Sequence, residues 1–218
     1  MLRKERYREQ VARWPKDGQH ILAQYEKEGV VVYQAYRPAI GEFAARHQCF
    51  GGEFKLSRMS WIKTNFLWMM YRCGWAEKQD QEVVLAITIR CDAFDSILAQ
   101  AVHSSFTAGK YASHDDWQGR LKHAPVRLQW DPDHDPFGIK QARRAIQLGL
   151  SGDVLKNYSR DWILKIEDIS AFVAEGRALV AQRNLDDLVI PHEEDYPVAD
   201  SAVAKHLGVS PALEESCK

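Results

Sequence analysis

The residues best suited to chemistry in this chain are concentrated in residues 58–75, which combine tryptophans with positive charge. This segment holds three of the seven tryptophans, at a spacing of seven, and three of the four methionines. Indole rings stack on planar ligands, and cations neutralise anionic ones. The segment therefore predicts a surface for a planar, negatively charged ligand such as a nucleotide. Its aromatic and cationic side chains include Arg58, Trp61, Lys63, Trp68, Arg72 and Trp75.

Two residues could take part directly in a reaction. Lys63 becomes a nucleophile if it is buried, because loss of hydration lowers the pKa of a lysine. Asp131 follows residues 126–130, which alternate between apolar and polar side chains and predict a strand. We expect Asp131 at the end of that strand, lining the same cleft as Lys63. Lys63 and Asp131 are therefore the predicted catalytic residues.

Eight further side chains offer this ligand aromatic surfaces, positive charge or amide groups. If residues 58–75 form one helix, Trp61, Trp68 and Trp75 share a face of it. The alternative is that the tryptophans belong to the core and the cations reach water. The predicted substrate-binding residues are Tyr33, Arg58, Trp61, Trp68, Arg72, Gln129, Arg143 and Gln147.

Other site chemistries find little support in the sequence. Residues 131–135 hold three aspartates and His134, and hard cations prefer clustered carboxylates. The segment lacks the glycine and the distal glutamate of a calcium loop, and Pro132 together with Pro136 predicts a rigid surface turn. The four cysteines include no pair at zinc-ligand spacing, and no histidine lies in a catalytic motif. We predict no metal site.

Patterns of apolar residues predict an α+β fold, a single domain whose mixed sheet of about five strands has surrounding helices. The polar end of the first strand is followed directly by a helix that begins near Pro38, which predicts the edge of a pocket. The predicted strands cover residues 30–36, 81–90, 126–130, 143–150 and 162–166, and the predicted helices between and after them cover residues 39–47, 92–102, 115–123, a segment after 152 and a segment ending at 182.

Composition divides the chain into three parts. Residues 1–28 are predicted as an N-terminal helical arm with a second helix over 20–27, residues 29–185 as the core domain, and residues 186–218 as an acidic, partly ordered tail. Residues 37–75 carry six cations and two acids, whereas residues 186–218 carry eight acids and two cations. We therefore expect an anion-binding site in the first half of the chain.

The overall charge and hydropathy limit the classes of partner. The net charge of -1 argues against a general binder of polyanions, which usually carries a basic excess. No stretch is apolar enough to span a membrane, and the N-terminus lacks the apolar region of a secretory signal. We expect a soluble, cytoplasmic protein with no membrane partner, and the sequence leaves its oligomeric state open.

Several segments resemble an uncharacterised family, catalogued as domain of unknown function 4291, over roughly residues 30–175. After Asp131-Pro132 the chain departs from the family pattern with Asp133-His134. The resemblance implies kinship and no particular activity. The matching segments are VYQAY (32–36), RMSWIKTNFLWMMYR (58–72), VLAI (84–87), VRLQWDP (126–132) and IQLGLSG (146–152).

The order of the predicted elements also resembles ADP-ribosyltransferase-like folds. That resemblance implies NAD as cofactor and one carboxylate that stabilises an oxocarbenium-like state, although the motif series of those enzymes is missing here. The leading hypothesis is thus an enzyme that binds a nucleotide, NAD-like, or a nucleic acid. The alternatives are a non-catalytic module for single-stranded nucleic acid or a modified nucleotide, and a structural or partner-binding protein.

Overall fold

A seven-stranded mixed sheet forms the centre of the computed structural model, which describes residues 2–211. The strands, in chain order, are β1 (Lys4–Arg6), β2 (Leu22–Ala23), β3 (Gly29–Tyr36), β4 (Ser60–Lys63), β5 (Val83–Arg90), β6 (Ala101–His103), β7 (Val126–His134), β8 (Lys140–Leu150), β9 (Ile163–Asp168), β10 (Val189–Pro191) and β11 (Glu194–Asp195). The helices are α1 (Tyr7–Arg13), α2 (Pro38–His47), α3 (Phe66–Cys73), α4 (Cys91–Ala99), α5 (His114–His123), α6 (Gly152–Tyr158), α7 (Ser170–Ala181) and α8 (Ser201–Leu207).

The strands of the main sheet lie in the order β6-β7-β8-β4-β3-β5-β9. Every neighbouring pair is antiparallel except β6 and β7, which run parallel. Strands and helices are mixed along the chain without a repeating βαβ unit, so the predicted α+β class is confirmed.

Both faces of the sheet are covered around β3 and β5, because alternate residues of a strand point to opposite faces. Val30 and Val32 belong to one apolar core, and Val31 and Tyr33 belong to a second core that includes the buried side of α3. This double burial explains why β3 and β5 are apolar almost throughout.

The sheet has two more strands than the sequence predicted, β4 and β6. Residues 58–75 do not form one helix: β4 ends at Lys63 and α3 begins at Phe66. The side chain of Asn65 caps the helix by accepting a hydrogen bond from the backbone N–H of Trp68 at 2.7 Å. The prediction that Trp61, Trp68 and Trp75 share a helical face is therefore wrong.

The predicted surface turn after Trp130 is also wrong, because β7 continues to His134. Asp133 and His134 are buried rather than exposed. Proline has no N–H and cannot donate a hydrogen bond to a neighbouring strand. The pairing of β7 with β8 shifts register between Pro132 and His134, and this irregularity accommodates Pro132. Asp133 is drawn inward by its ion pair with Arg143.

The two ends of the described chain pack together instead of forming an arm and a tail. β1 pairs with β10, and β2 pairs with β11. The predicted helix over residues 20–27 is wrong, since this segment contains β2. The predicted partial order of the tail is wrong for residues 186–211, which form β10, β11 and α8 and bury Leu188 and Ile190. The rest of the predicted tail, residues 212–218, lies outside the described residues.

Across residues 2–211, no helix combines the length and the apolar character that a membrane crossing requires.

Candidate functional site

A pocket opens where β3 and β4 separate near the middle of the sheet. These strands pair at one position only, Tyr33 with Lys63. Farther along, the side chain of Gln34 bridges them: its Nε2 donates to Ser60 Oγ at 2.8 Å and to the Trp61 carbonyl at 3.0 Å. The side-chain amide thus holds the strands together where backbone hydrogen bonds are missing, and it leaves space beside them. This location agrees with the pocket edge predicted at the end of the first strand.

The pocket has a volume of about 630 Å³, within the usual range for small-molecule sites. Its lining has five cations and two acids, of which Arg37 and Glu53 form an ion pair. The excess of positive charge suits an anionic ligand. The lining residues are Gln34, Ala35, Tyr36, Arg37, Ile40, Glu53, Phe54, Lys55, Arg58, Met59, Ser60, Trp61, Lys63, Met69, Arg72, Asp80 and Gln81.

Lys63 is the most deeply buried cation of the pocket, with 7% of its surface exposed. Its Nζ donates to the Trp61 carbonyl at 3.2 Å and lies 5.2 Å from the centre of the Trp68 ring. Among residues 2–211 it forms no ion pair. Burial lowers the pKa of Lys63 to about 7, and the charge of Arg72 adds to this shift. A substantial fraction of this amine is therefore neutral at physiological pH.

Trp61 forms an aromatic wall of the pocket and is partly exposed. Its ring packs over Gly149 on β8, where a Cβ atom would lie 2.9 Å from the ring and 2.6 Å from the Met59 sulfur. Only glycine permits this approach. Gly149 thus leaves room for the Trp61 ring beside β8, which fixes the ring at the wall of the pocket.

Tyr33 and Trp68 do not reach the pocket. Tyr33 is fully buried and packs edge-on against Phe66, with 5.6 Å between the ring centres. Trp68 is buried on α3, where its ring faces the Lys63 amine. The prediction that Tyr33 binds the substrate is therefore wrong, and Trp68 contacts the Lys63 amine instead of lining the pocket.

Asp131, Gln129 and Gln147 lie beside Lys63 on the same face of the sheet. Lys63 is opposite Gln147, which is opposite Gln129, so the three side chains form one cross-strand row. The Asp131 carboxylate accepts hydrogen bonds from Gln129 Nε2 at 2.8 Å and from Gln147 Nε2 at 2.5 Å. Its negative charge opposes the fall in the pKa of Lys63. These three residues adjoin the floor of the pocket without lining it.

Arg143 was predicted to bind substrate, and this prediction is wrong. Its guanidinium forms a buried ion pair with Asp133, donating from Nε at 2.8 Å and also from Nη2. Its Nη1 donates to the Pro15 carbonyl at 2.6 Å, and the guanidinium lies over the Trp14 ring. These contacts use the guanidinium to fix the N-terminal segment against the sheet.

The start of α3, three residues after Lys63, is fixed by a buried carboxyl group from the C-terminal segment. Glu193 accepts a hydrogen bond from the Phe66 N–H at 2.6 Å and one from Asn65 Nδ2 at 3.3 Å. Burial raises the pKa of Glu193 well above its usual range, although the Phe66 hydrogen bond opposes this. Gln10 and Trp14 in turn hold the Glu193 backbone.

Several pocket residues were missed by the sequence analysis. Arg37 and Lys55 entered it only as part of the local charge, and Gln34 only as part of a strand. The sequence offers no signal that Glu193 caps α3, because 127 positions separate it from Phe66. Within residues 2–211, no group of three or more His, Cys, Asp and Glu side chains could hold a metal ion.

Fold and site together define an α+β protein. It is built on a seven-stranded mixed sheet, and a cation-lined pocket opens between two strands of that sheet. The chain belongs to the family described as domain of unknown function (DUF4291), whose model matches residues 20–196. The matched range contains the whole pocket lining and Glu193. No curated protein matches the chain in sequence.

Proposed function

We propose that this protein is an enzyme that binds a nucleotide, NAD-like in size and charge, in the pocket between β3 and β4. The observation that carries the proposal is the buried Lys63 amine in a pocket whose other cations are exposed. These exposed cations, Arg37, Lys55, Arg58 and Arg72, form the rim of the pocket. The rim would bind phosphate, Trp61 would stack on a planar group, and Lys63 would meet the reacting end of the ligand. Asp131 would act through its charge on Lys63.

The alternatives fit the pocket less well. A purely structural role predicts that the three tryptophans are buried and the cations are paired, but Trp61 and Trp75 are partly exposed. Within the described residues, Arg58 and Arg72 form no ion pairs. A binding module for single-stranded nucleic acid predicts an open aromatic face, whereas this site is concave. A near-zero net charge also favours a small ligand over a polymer.

ADP-ribosyl transfer is a more specific form of this proposal. It requires a carboxylate beside the ligand, and the pocket offers Asp80 and Glu53, the second of which is paired with Arg37. We also propose that the protein acts in the cytoplasm, where Cys49, Cys73 and Cys91 would stay reduced, as they are in the described chain.

A thermal-shift screen against NAD, mononucleotides and short oligonucleotides tests the proposal. A ligand at one hundred times its Kd contributes about 2.7 kcal/mol, which corresponds to a rise in Tm of about 5–10 °C in a protein of this size. We expect this rise for NAD or a mononucleotide in the wild type, and a smaller one in Lys63→Ala and Arg72→Ala. Lys122→Ala, on α5 and outside the pocket, is the matched control. No shift with any nucleotide would refute the proposal.

A further inference from the structure

The contacts of the Lys63 amine leave its lone pair free to attack a ligand when the amine is neutral. A neutral lysine has two N–H donors and one lone pair. One donor is occupied by the Trp61 carbonyl at 3.2 Å. No carboxylate of residues 2–211 lies within ion-pair distance to hold the amine protonated, and the side chain lines the pocket. A carbonyl carbon that enters the pocket can therefore meet an unprotonated amine.

The rim supplies a second requirement, an anchor for a ligand that carries both an anion and an electrophile. Lys55 and Arg58 are exposed, line the pocket and make no ion pair with any described residue. An anionic group held there would place the rest of the ligand along Trp61 toward Lys63. Cations at the rim and a neutral amine at the floor suit a phosphorylated carbonyl compound better than a simple anion.

We propose that Lys63 forms an imine with the carbonyl carbon of a phosphorylated aldehyde, such as the ring-opened terminal ribose of a nucleoside diphosphate that is esterified through the 5-hydroxyl and keeps a free anomeric carbon. This proposal rests on the proposed function and names the class of ligand and the atom that reacts. The Nζ lone pair forms the C–N bond while the carbonyl oxygen takes a proton. That proton comes from the amine nitrogen, which gives a neutral carbinolamine. A proton from solvent then converts the hydroxyl group into water, which leaves as the nitrogen lone pair forms the C=N bond, and a protonated iminium remains. No oxidant, reductant or further reactant is needed.

The negative charge of Asp131 would stabilise the positive charge of the iminium. The iminium carries a positive charge near Arg72, which by itself would disfavour it. The Asp131 carboxylate, held by Gln129 and Gln147, lies on the same face and offsets that charge. The row of amides thus keeps an anion near Lys63 without pairing it directly to the amine.

Reductive trapping tests the proposal with ADP-ribose and pyridoxal 5′-phosphate as probes. The full-length protein is incubated with each probe and sodium cyanoborohydride, and modified lysines are identified by peptide mass spectrometry. We expect one probe per chain, on Lys63, and competition by AMP, which has no carbonyl group. Lys63→Arg keeps a charge but should lose the adduct, while Lys122→Arg should keep it. Mapping of the wild type does not depend on how well either variant folds.

The pH dependence separates Lys63 from an ordinary surface lysine. The charged or titratable groups that act on Lys63 are Arg72 and Cys73 from α3 and Asp131 from β7. The neutral fraction of an amine with a pKa of about 7 rises about tenfold between pH 6 and pH 8, whereas that of a free lysine rises about a hundredfold. The labelling rates of Lys63 and Lys122 should show these two slopes.

Two results would overturn the proposal: label distributed over exposed lysines, or Lys63 labelled no faster than Lys122 at pH 7. If NAD or AMP still raises Tm while Lys63 stays unmodified, imine formation fails and nucleotide binding stands. If neither nucleotide raises Tm and neither blocks labelling, the proposed function fails as well.

Discussion

The buried carboxyl group of Glu193 gives the sharpest test of how this site is held. Glu193→Gln keeps the size of the side chain and one oxygen for the Phe66 N–H, but it cannot ionise. Burial raises the pKa of Glu193 well above its usual range, so the folded chain retains a proton that the unfolded chain loses from about pH 4.5 upward. The wild type should therefore lose stability relative to the variant as pH rises.

The size of this effect follows from proton linkage. Between the unfolded and folded pKa values, the folded state binds up to one proton more than the unfolded state. The free energy of unfolding then falls by up to about 1.4 kcal/mol per pH unit, and the loss stops above the folded pKa of Glu193. The stability that protonated Glu193 contributes is fully present below about pH 4.5 and is lost as pH rises toward the folded pKa. A raised carboxyl pKa is expected to give this direction.

Urea unfolding of both proteins at pH 5, 6, 7 and 8 measures this difference. The charges of Asp133 and Arg143 act on Glu193, but both residues are present in the two proteins, so their effects largely cancel. Glu193→Ala serves as a second variant: it leaves the Phe66 and Asn65 donors without a buried acceptor and should cost about 2–6 kcal/mol. A wild-type to Glu193→Gln difference that is constant or grows with pH would refute the reasoning.

Three further substitutions test one residue that lines the pocket and two residues that hold the surrounding structure in place. Arg58→Ala should weaken nucleotide binding about 10- to 100-fold in titration calorimetry, because a charge-assisted hydrogen bond to phosphate contributes about 1.5–3 kcal/mol; unchanged affinity would remove Arg58 from the site. Gly149→Ala should cost about 1–3 kcal/mol in urea unfolding and alter Trp61 fluorescence, since its Cβ enters the ring; an unchanged spectrum would contradict this packing. Arg143→Met should cost about 3–5 kcal/mol by leaving the buried Asp133 unpaired, and full stability would count against the ion pair.

The longer strands of the sheet could be predicted because their burial is continuous. β3 and β5 each have eight residues, most of them β-branched or apolar, and this pattern is unambiguous. β4 has only four residues and runs almost directly into α3. Its alternation is too short to stand out from the helical spacing of the tryptophans that follow.

The candidate site could be predicted in part, because charge is visible in a sequence and burial partners are not. Lys63 and Trp61 were identified from residue type and local density, and both line the pocket. Arg143 looks equally suitable in the sequence, but its partner Asp133 removes it from solvent across a β-hairpin. Tyr33 shows the same limitation, since its face of the sheet is decided by the position of α3.

The pairing of the two chain ends has a consequence for synthesis. The carboxyl group that caps α3 belongs to residue 193, so the start of this helix is completed only after residue 193 has left the ribosome. At about 5–20 residues per second, the segment that carries Lys63 waits roughly 6–26 s for its final partner. A nascent or truncated chain that ends before β10 therefore lacks the Glu193 contacts that complete the start of α3.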